Sequence, residues 1–262
     1  MKTVCKIFIA SFTLVSVTIP SQGQTLATVD FYNEIQHYDL STIWTADSIV
    51  VDDDNYEGEK EKVKRAEPIG YIGENYQRFY IHFTSIIKKE DNPYEYLVSG
   101  KTKVKNTICS FLGNIRVIES NLYRDSDLPI YKQGYVICDL SIYEDNKETS
   151  TGYIKGKLIT EFIIDDKIEF RYDALNFVSD GYSNNQFEGT WTSYQSKKIK
   201  KCNWGDYRIP DSGNFDVGAG EFSFDEKYVK NGWENYKLAW NGSNLNTDAE
   251  RARQIELEEW WK

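Results

Sequence analysis

Residues 94–105 read YEYLVSGKTKVK. Tyr94, Tyr96, Val98, Gly100, Thr102 and Val104 share one parity, while Glu95, Lys101, Lys103 and Lys105 share the other. Successive side chains of a strand point to opposite faces, so the stretch predicts a strand with one dry and one wet face. The alternation recurs on both sides. Upstream, Phe79, Ile81, Phe83 and Ile87 oppose Arg78, Tyr80, His82 and Thr84. Downstream, the predicted dry faces are Cys109–Phe111–Gly113–Ile115–Val117, Val136–Cys138–Leu140–Ile142, Ile154–Gly156–Leu158–Thr160–Phe162, Ile168–Phe170–Tyr172–Ala174 and Phe187–Gly189–Trp191–Ser193. Many half-buried strands in succession predict an all-β fold. The expectation is an up-and-down antiparallel β-barrel of about eight to ten strands, with a β-sandwich as the alternative.

The punctuation supports up-and-down order. Asp91-Asn92-Pro93, Asn106, the polar run Glu144–Ser150 and Ser179–Asn185 are turn signals, and Asp165-Asp166 reads as a tight two-residue hairpin turn. Strands at Ile43–Val51 and Glu67–Gly73 would help to close the ring. Glycines at the inward positions 100, 113, 156 and 189 fit the sharp bending that closure requires. Beyond residue 199 the periodicity stops. A loop-rich extension follows, predicted to fold over the barrel and to be pinned by Trp204, Tyr207, Phe215, Trp233, Tyr236 and Trp240. Thr247 and Glu250 form a capping box and predict a helix from Asp248 to about Trp261. The expected organisation is a leader at 1–23, an N-terminal segment with one or two strands at 24–75, the barrel core at 76–198 and the extension with its helix at 199–262.

Lys2 and Lys6 precede an apolar run, Ile7–Pro20, and then Ser21-Gln22-Gly23. That pattern predicts an export signal cleaved before Gln24, and a periplasmic or extracellular protein. No later stretch is apolar enough for a membrane-spanning helix, so membrane insertion is not expected. The formal net charge of −10 would become −12 after cleavage, which argues against nucleic acid as a partner. Nineteen Tyr and seven Trp supply enough apolar surface for a sizeable core. Three cysteines remain, Cys109, Cys138 and Cys202, an odd number that permits at most one internal disulfide. Cys109 and Cys138 share the dry face in consecutive strands, which allows either a cross-strand bond or two buried thiols.

Catalytic and metal motifs are sparse. Asp53, Asn55, Glu57 and Gly58 begin like a calcium loop, but Lys64 stands where a bidentate Glu is required. Asp211, Asp216 and Glu221 have no diagnostic spacing. No nucleophile elbow or phosphate-binding loop occurs, and neither His37 nor His82 sits in a catalytic pattern. Glu161 and Glu169 could approach across the Asp165-Asp166 turn, on the outer face. No cofactor, metal or catalytic residue is therefore expected. The barrel interior offers Phe83, Tyr96, Thr102, Phe111, Thr160, Tyr172 and Trp191 as candidate ligand-binding residues, aromatic walls with a few hydroxyl anchors.

Phe187-Glu188-Gly189-Thr190-Trp191 resembles the G-x-W signature of calycins, the lipocalin and avidin class of ligand-binding barrels. In lipocalins the motif lies in the first strand, whereas here it lies in the last of the regular series. The resemblance implies a barrel with a small-molecule cavity and Trp191 near its closed end. Three functional expectations follow. The first is a non-enzymatic binder of a small apolar or amphipathic ligand. The second is an interaction, inhibitor or immunity-type module with an unknown protein partner, using the aromatic extension. The third is a glycan-active or glycan-binding protein.

Overall fold

The computed structural model describes residues 27–52, 60–165, 167–240 and 247–262. The predicted leader at 1–23 and the calcium-like residues Asp53–Gly58 lie outside them. In chain order the strands are β1 Thr28–Asp30, β2 Ser48–Asp52, β3 Lys60–Lys64, β4 Ile69–Ile72, β5 Gln77–Lys88, β6 Glu95–Val104, β7 Thr107–Tyr123, β8 Lys132–Glu144, β9 Gly152–Ile164, β10 Phe170–Tyr172, β11 Asn184–Ser193 and β12 Ile199–Asp206. The helices are α1 Tyr32–Ile35, α2 Ser41–Thr45, α3 Glu234–Trp240 and α4 Thr247–Glu256, with a 3₁₀ turn at Glu226–Asn231.

Pairing is antiparallel throughout. β4, β5, β6, β7, β8, β9, β11 and β12 follow one another around the sheet, and β12 pairs back onto β4, closing a ring of eight strands. β1 and β10 extend the sheet beyond this ring, on the ends of β7 and β9. β2 and β3 form a separate hairpin. The ring is not a regular barrel. β4 has four residues and pairs with β5 only from Gly70 to Ile72, so β5 from Tyr80 onward lacks a neighbour on that side. Pro68, immediately before β4, has no N–H to continue the ladder.

The predicted parity holds along most of the ring. Val136, Cys138, Leu140, Ile142, Ile154, Leu158 and Phe162 are all buried. It breaks in β5, where a bulge between Phe83 and Ser85 reverses the alternation. Ile86 turns inward, and Ile87, expected inside, is 60% exposed. The strand expected over residues 168–174 shrinks to three residues outside the ring. Asp165 accepts hydrogen bonds from the N–H groups of Lys167 and Glu169, and Ile168 adopts φ +65°. The connection is thus longer than the two-residue turn expected, and Ile168 points out. The missing ring strand is β12, which opens Ile199-Lys200-Lys201 and falls in the stretch expected to be loop-rich extension. Its Trp204 is an interior side chain, stacked on Phe187 with ring centroids 3.7 Å apart. Gly156 and Gly189 face each other across β9 and β11, and the Phe187 ring lies over both. A Cβ at either position would approach Phe187 Cζ within 2.7 Å.

N-terminal to the β2–β3 hairpin, α2 inserts Ile43 and Trp44 into the ring core. Ile43 was expected to start a strand. It is helical instead, and only Ser48–Asp52 extends. Outside the ring, a second apolar cluster joins Ile69 and Tyr71 of β4 to Ile209, Phe215, Phe222, Phe224 and Trp233. The extension therefore covers the outer wall at β4 and β5. The terminal helix is present but stops at Glu256, ahead of the predicted end. It is fastened to β5 by Arg78, whose guanidinium lies 3.3 Å from Glu256 and within 4.2–5.1 Å of the Trp233, Tyr80 and Tyr236 rings. Burial makes this ion pair costly to break from one side.

Candidate functional site

Two carboxylates are sealed inside the ring, and the predicted binding residues divide between them. At the end where β8 turns into β9, Glu144 accepts hydrogen bonds from Thr102 Oγ1 (2.6 Å), the Gly152 N–H (2.7 Å) and Trp191 Nε1 (2.9 Å). Phe111 lies beside this end, edge-on to Phe83 at 5.7 Å. Toward the other end, Asp206 Oδ2 accepts from Tyr172 OH (3.0 Å) and Asn185 Nδ2 (2.7 Å). Thr160 joins the same network, accepting from Trp44 Nε1 (2.9 Å) and donating to Asn185 Oδ1 (2.8 Å). Tyr96 packs edge-on against Trp44 at 5.2 Å, and its hydroxyl oxygen accepts from the Leu40 N–H (3.2 Å). Six of the seven predicted residues thus serve contacts within the ring, and Phe83 is the one that lines open space.

That space is a cavity of about 30 Å³ in the gap left by short β4. Trp44, Asp47, Arg65, Glu67, Pro68, His82, Phe83, Asn185, Trp204 and Asp206 contribute to its lining. Arg65, Glu67 and His82 are held there by contacts within the fold. Arg65 is held by α2, donating to the Ile43 and Trp44 carbonyls at 3.1 and 2.8 Å. These are groups a five-residue helix leaves without an internal partner. Glu67 sits 3.0 Å from His82 Nδ1, and the His82 ring stacks on Trp261 at 3.8 Å. Asp206 is 1% exposed, and its Oδ1 has no hydrogen-bond partner among the described residues. Burial pushes its carboxyl above the usual range, against the pull of the nearby Arg65 charge.

Whether the ring is hollow or filled was open on sequence grounds, and its interior is packed with large side chains. Cavities that enclose small ligands run to about 300–1,000 Å³. Here Trp44, Tyr96, Phe79 and the Phe187–Trp204 stack fill the ring. Sequence reasoning missed Trp44, Asn185, Asp206, Arg65 and Glu67. Alternation offers no signal for a short plug helix or for a carboxylate at a strand end. The three thiols are buried and free, so no disulfide forms. Cys109 lies opposite Thr102, and Cys138 opposite Val117 and Leu158, not opposite each other. Burial pushes the Cys109 thiol up to about 12. Glu161 is not a solvated outer carboxylate. Burial, then Asp173, push its pKa up to about 7, and Tyr123 OH donates to it at 3.4 Å. Asp216 is engaged by Arg208 at 2.7 Å, and Phe215 and Trp233 in the extension are fully buried.

No helix among the described residues is long and apolar enough to cross a membrane. The same residues hold no group of three or more His, Cys, Asp or Glu side chains placed to share a metal ion. Comparison with family models, curated proteins and solved structures finds no match for this chain, and the calycin resemblance gains no support beyond the ring of strands itself.

Proposed function

We propose that this protein is an exported, non-enzymatic binding protein. Its small amphipathic ligand enters the gap beside β4 and does not occupy the ring centre. The observation that carries this reading is Asp206. Its carboxylate is buried, Oδ1 is unmatched among the described residues, and it lines a cavity that also meets Trp44 and Phe83. A buried polar atom without a partner costs about 1–3 kcal/mol, and a ligand that draws the Asp206 side chain toward the cavity would lower that cost. The apolar rings beside it suit the rest of such a ligand. Partner capture or glycan stacking by the extension has less to draw on, because Phe215 and Trp233 are covered, although Trp240 is 47% exposed.

Native mass spectrometry of the protein collected from the exporting cell, followed by denaturation, tests the reading. A small molecule released in near-stoichiometric amount is the expected result. Titration with short-chain amphiphiles, followed through tryptophan fluorescence, covers the case in which the ligand is lost on purification. Trp44 lies at the cavity and reports binding there. A bare mass together with flat titrations would overturn the assignment.

A further inference from the structure

We infer that the outer face of β6–β9 carries a second binding site, one that takes an uncharged oligosaccharide. The site is separate from the gap beside β4 and does not depend on what that gap binds.

Shape comes first. A shallow groove of about 490 Å³ crosses the sheet from Glu95 on β6 to Glu188 on β11. Short residues line it at its middle: Asn114 and Ser141, which pair across β7 and β8, and Gly156 of β9. The longer side chains of Arg116, Lys155 and Lys157 share the lining and are exposed. The volume falls within the range of about 300–1,000 Å³ typical of small-ligand sites.

Charge comes next. Three carboxylates line the groove, those of Glu95, Asp139 and Glu188, against three cations, Arg116, Lys155 and Lys157. They balance, and several are engaged already. Asp139 accepts from Arg116 at 2.8 Å and from Lys157 at 2.6 Å, while Lys89 holds Glu95 at 3.0 Å. A charged ligand therefore gains little net attraction. The side chains of Asn114 and Ser141 are half-buried and make no hydrogen bond among the described residues. An amide and a hydroxyl each supply both a donor and an acceptor, the set that sugar hydroxyls need.

A row of rings borders the groove on the same face. Tyr143 lies two residues beyond Ser141 on β8 and pairs with Tyr153 on β9. The Tyr153 ring is 6.2 Å from Tyr143 and 6.0 Å from Tyr194, centroid to centroid. Tyr143 is 44% exposed, and Lys155 Nζ, 5.6 Å from its ring centre, links the groove to the row. Such rings offer an apolar face to the C–H face of a sugar and a hydroxyl to its edge. A peptide is the other uncharged chain to weigh. Peptides join a sheet through an open strand edge, whereas β7, β8 and β9 are paired on both sides.

The test titrates the full chain by calorimetry with cellohexaose, mannohexaose and chitohexaose. Hexagalacturonate and a hexapeptide of alternating glycine and serine serve as the charged and peptide probes. At least one neutral sugar should bind, and about tenfold more tightly than either comparison probe. Tyr143→Ala should weaken that sugar about tenfold and Tyr143→Phe less than about twofold, since the ring face is retained. Ser141→Arg should abolish binding by filling the middle of the groove, with an unchanged thermal midpoint as the control for folding. Tighter binding of hexagalacturonate or the peptide would overturn the ligand chemistry. No binding of any neutral sugar, or sugar binding untouched by both Tyr143→Ala and Ser141→Arg, would overturn the site.

Discussion

Glu144 and Asp206 are both interior carboxylates of the same ring, and they are treated differently. Glu144 meets three donors from three separate segments, which ties β6, β8, β9 and β11 together at one end. Asp206 meets two donors, both on Oδ2, and keeps Oδ1 unmatched beside a cavity. The first is a structural fastening, because its acceptor capacity is used by the fold. The second carries the cost of a buried oxygen without a partner among the described residues. The comparison separates a carboxylate whose acceptors the fold uses from one whose second oxygen it leaves unmatched.

Glu144→Ala should give the largest effect. It strands the Thr102 hydroxyl, the Gly152 N–H and the Trp191 indole N–H, so we expect a loss of about 3–5 kcal/mol in urea unfolding. A loss below about 1 kcal/mol would show that this end is not fastened by Glu144.

Glu161 is a third carboxylate and sharpens the contrast through pH. Its folded pKa of about 7 lies above the 4.5 of an ordinary glutamate. Between those values the folded state holds a proton that the unfolded state has released. Stability therefore falls as pH rises from about 4.5 to 7, by on the order of 3 kcal/mol. Burial also pushes the carboxyls of Asp173 and Asp206 upward, so they add a dependence of the same sign. Glu161→Gln should shrink the slope seen in unfolding midpoints across this range. An unchanged slope would remove Glu161 as its source.

Asp206→Asn should cost much less than Glu144→Ala, about 1 kcal/mol or below, because the amide oxygen can still accept from Tyr172 and Asn185. A loss as large as that of Glu144→Ala would show that Asp206 is also a structural fastening. The smallest change is expected at Leu112→Ser. Leu112 is 70% exposed on the outer face of β7, and its replacement should shift thermal unfolding by no more than about 0.5 kcal/mol.

The ring was legible where local period decides it. Tyr96, Val98, Phe111, Ile115, Leu140 and Ile154 all point inward, as alternation requires. The reading failed where a single residue resets the period, as at the Thr84 bulge that exposes Ile87. It failed again where lysines at 197–201 masked the start of β12. Of the seven predicted site residues, only Phe83 faces the cavity. Their burial was readable, but their hydrogen-bond partners lie as far as 116 residues away in the chain, as with Trp44 and Thr160.

Alternation and capping act over a few neighbouring residues, and they were enough to specify an antiparallel all-β molecule, a terminal helix and the inward face of most strands. Long-range packing settled that β4 closes the ring incompletely, that Trp44 fills it and that the buried Asp206 keeps an oxygen unmatched among the described residues. Those outcomes depend on which distant segments compete for the same interior volume, and no local pattern carries that information.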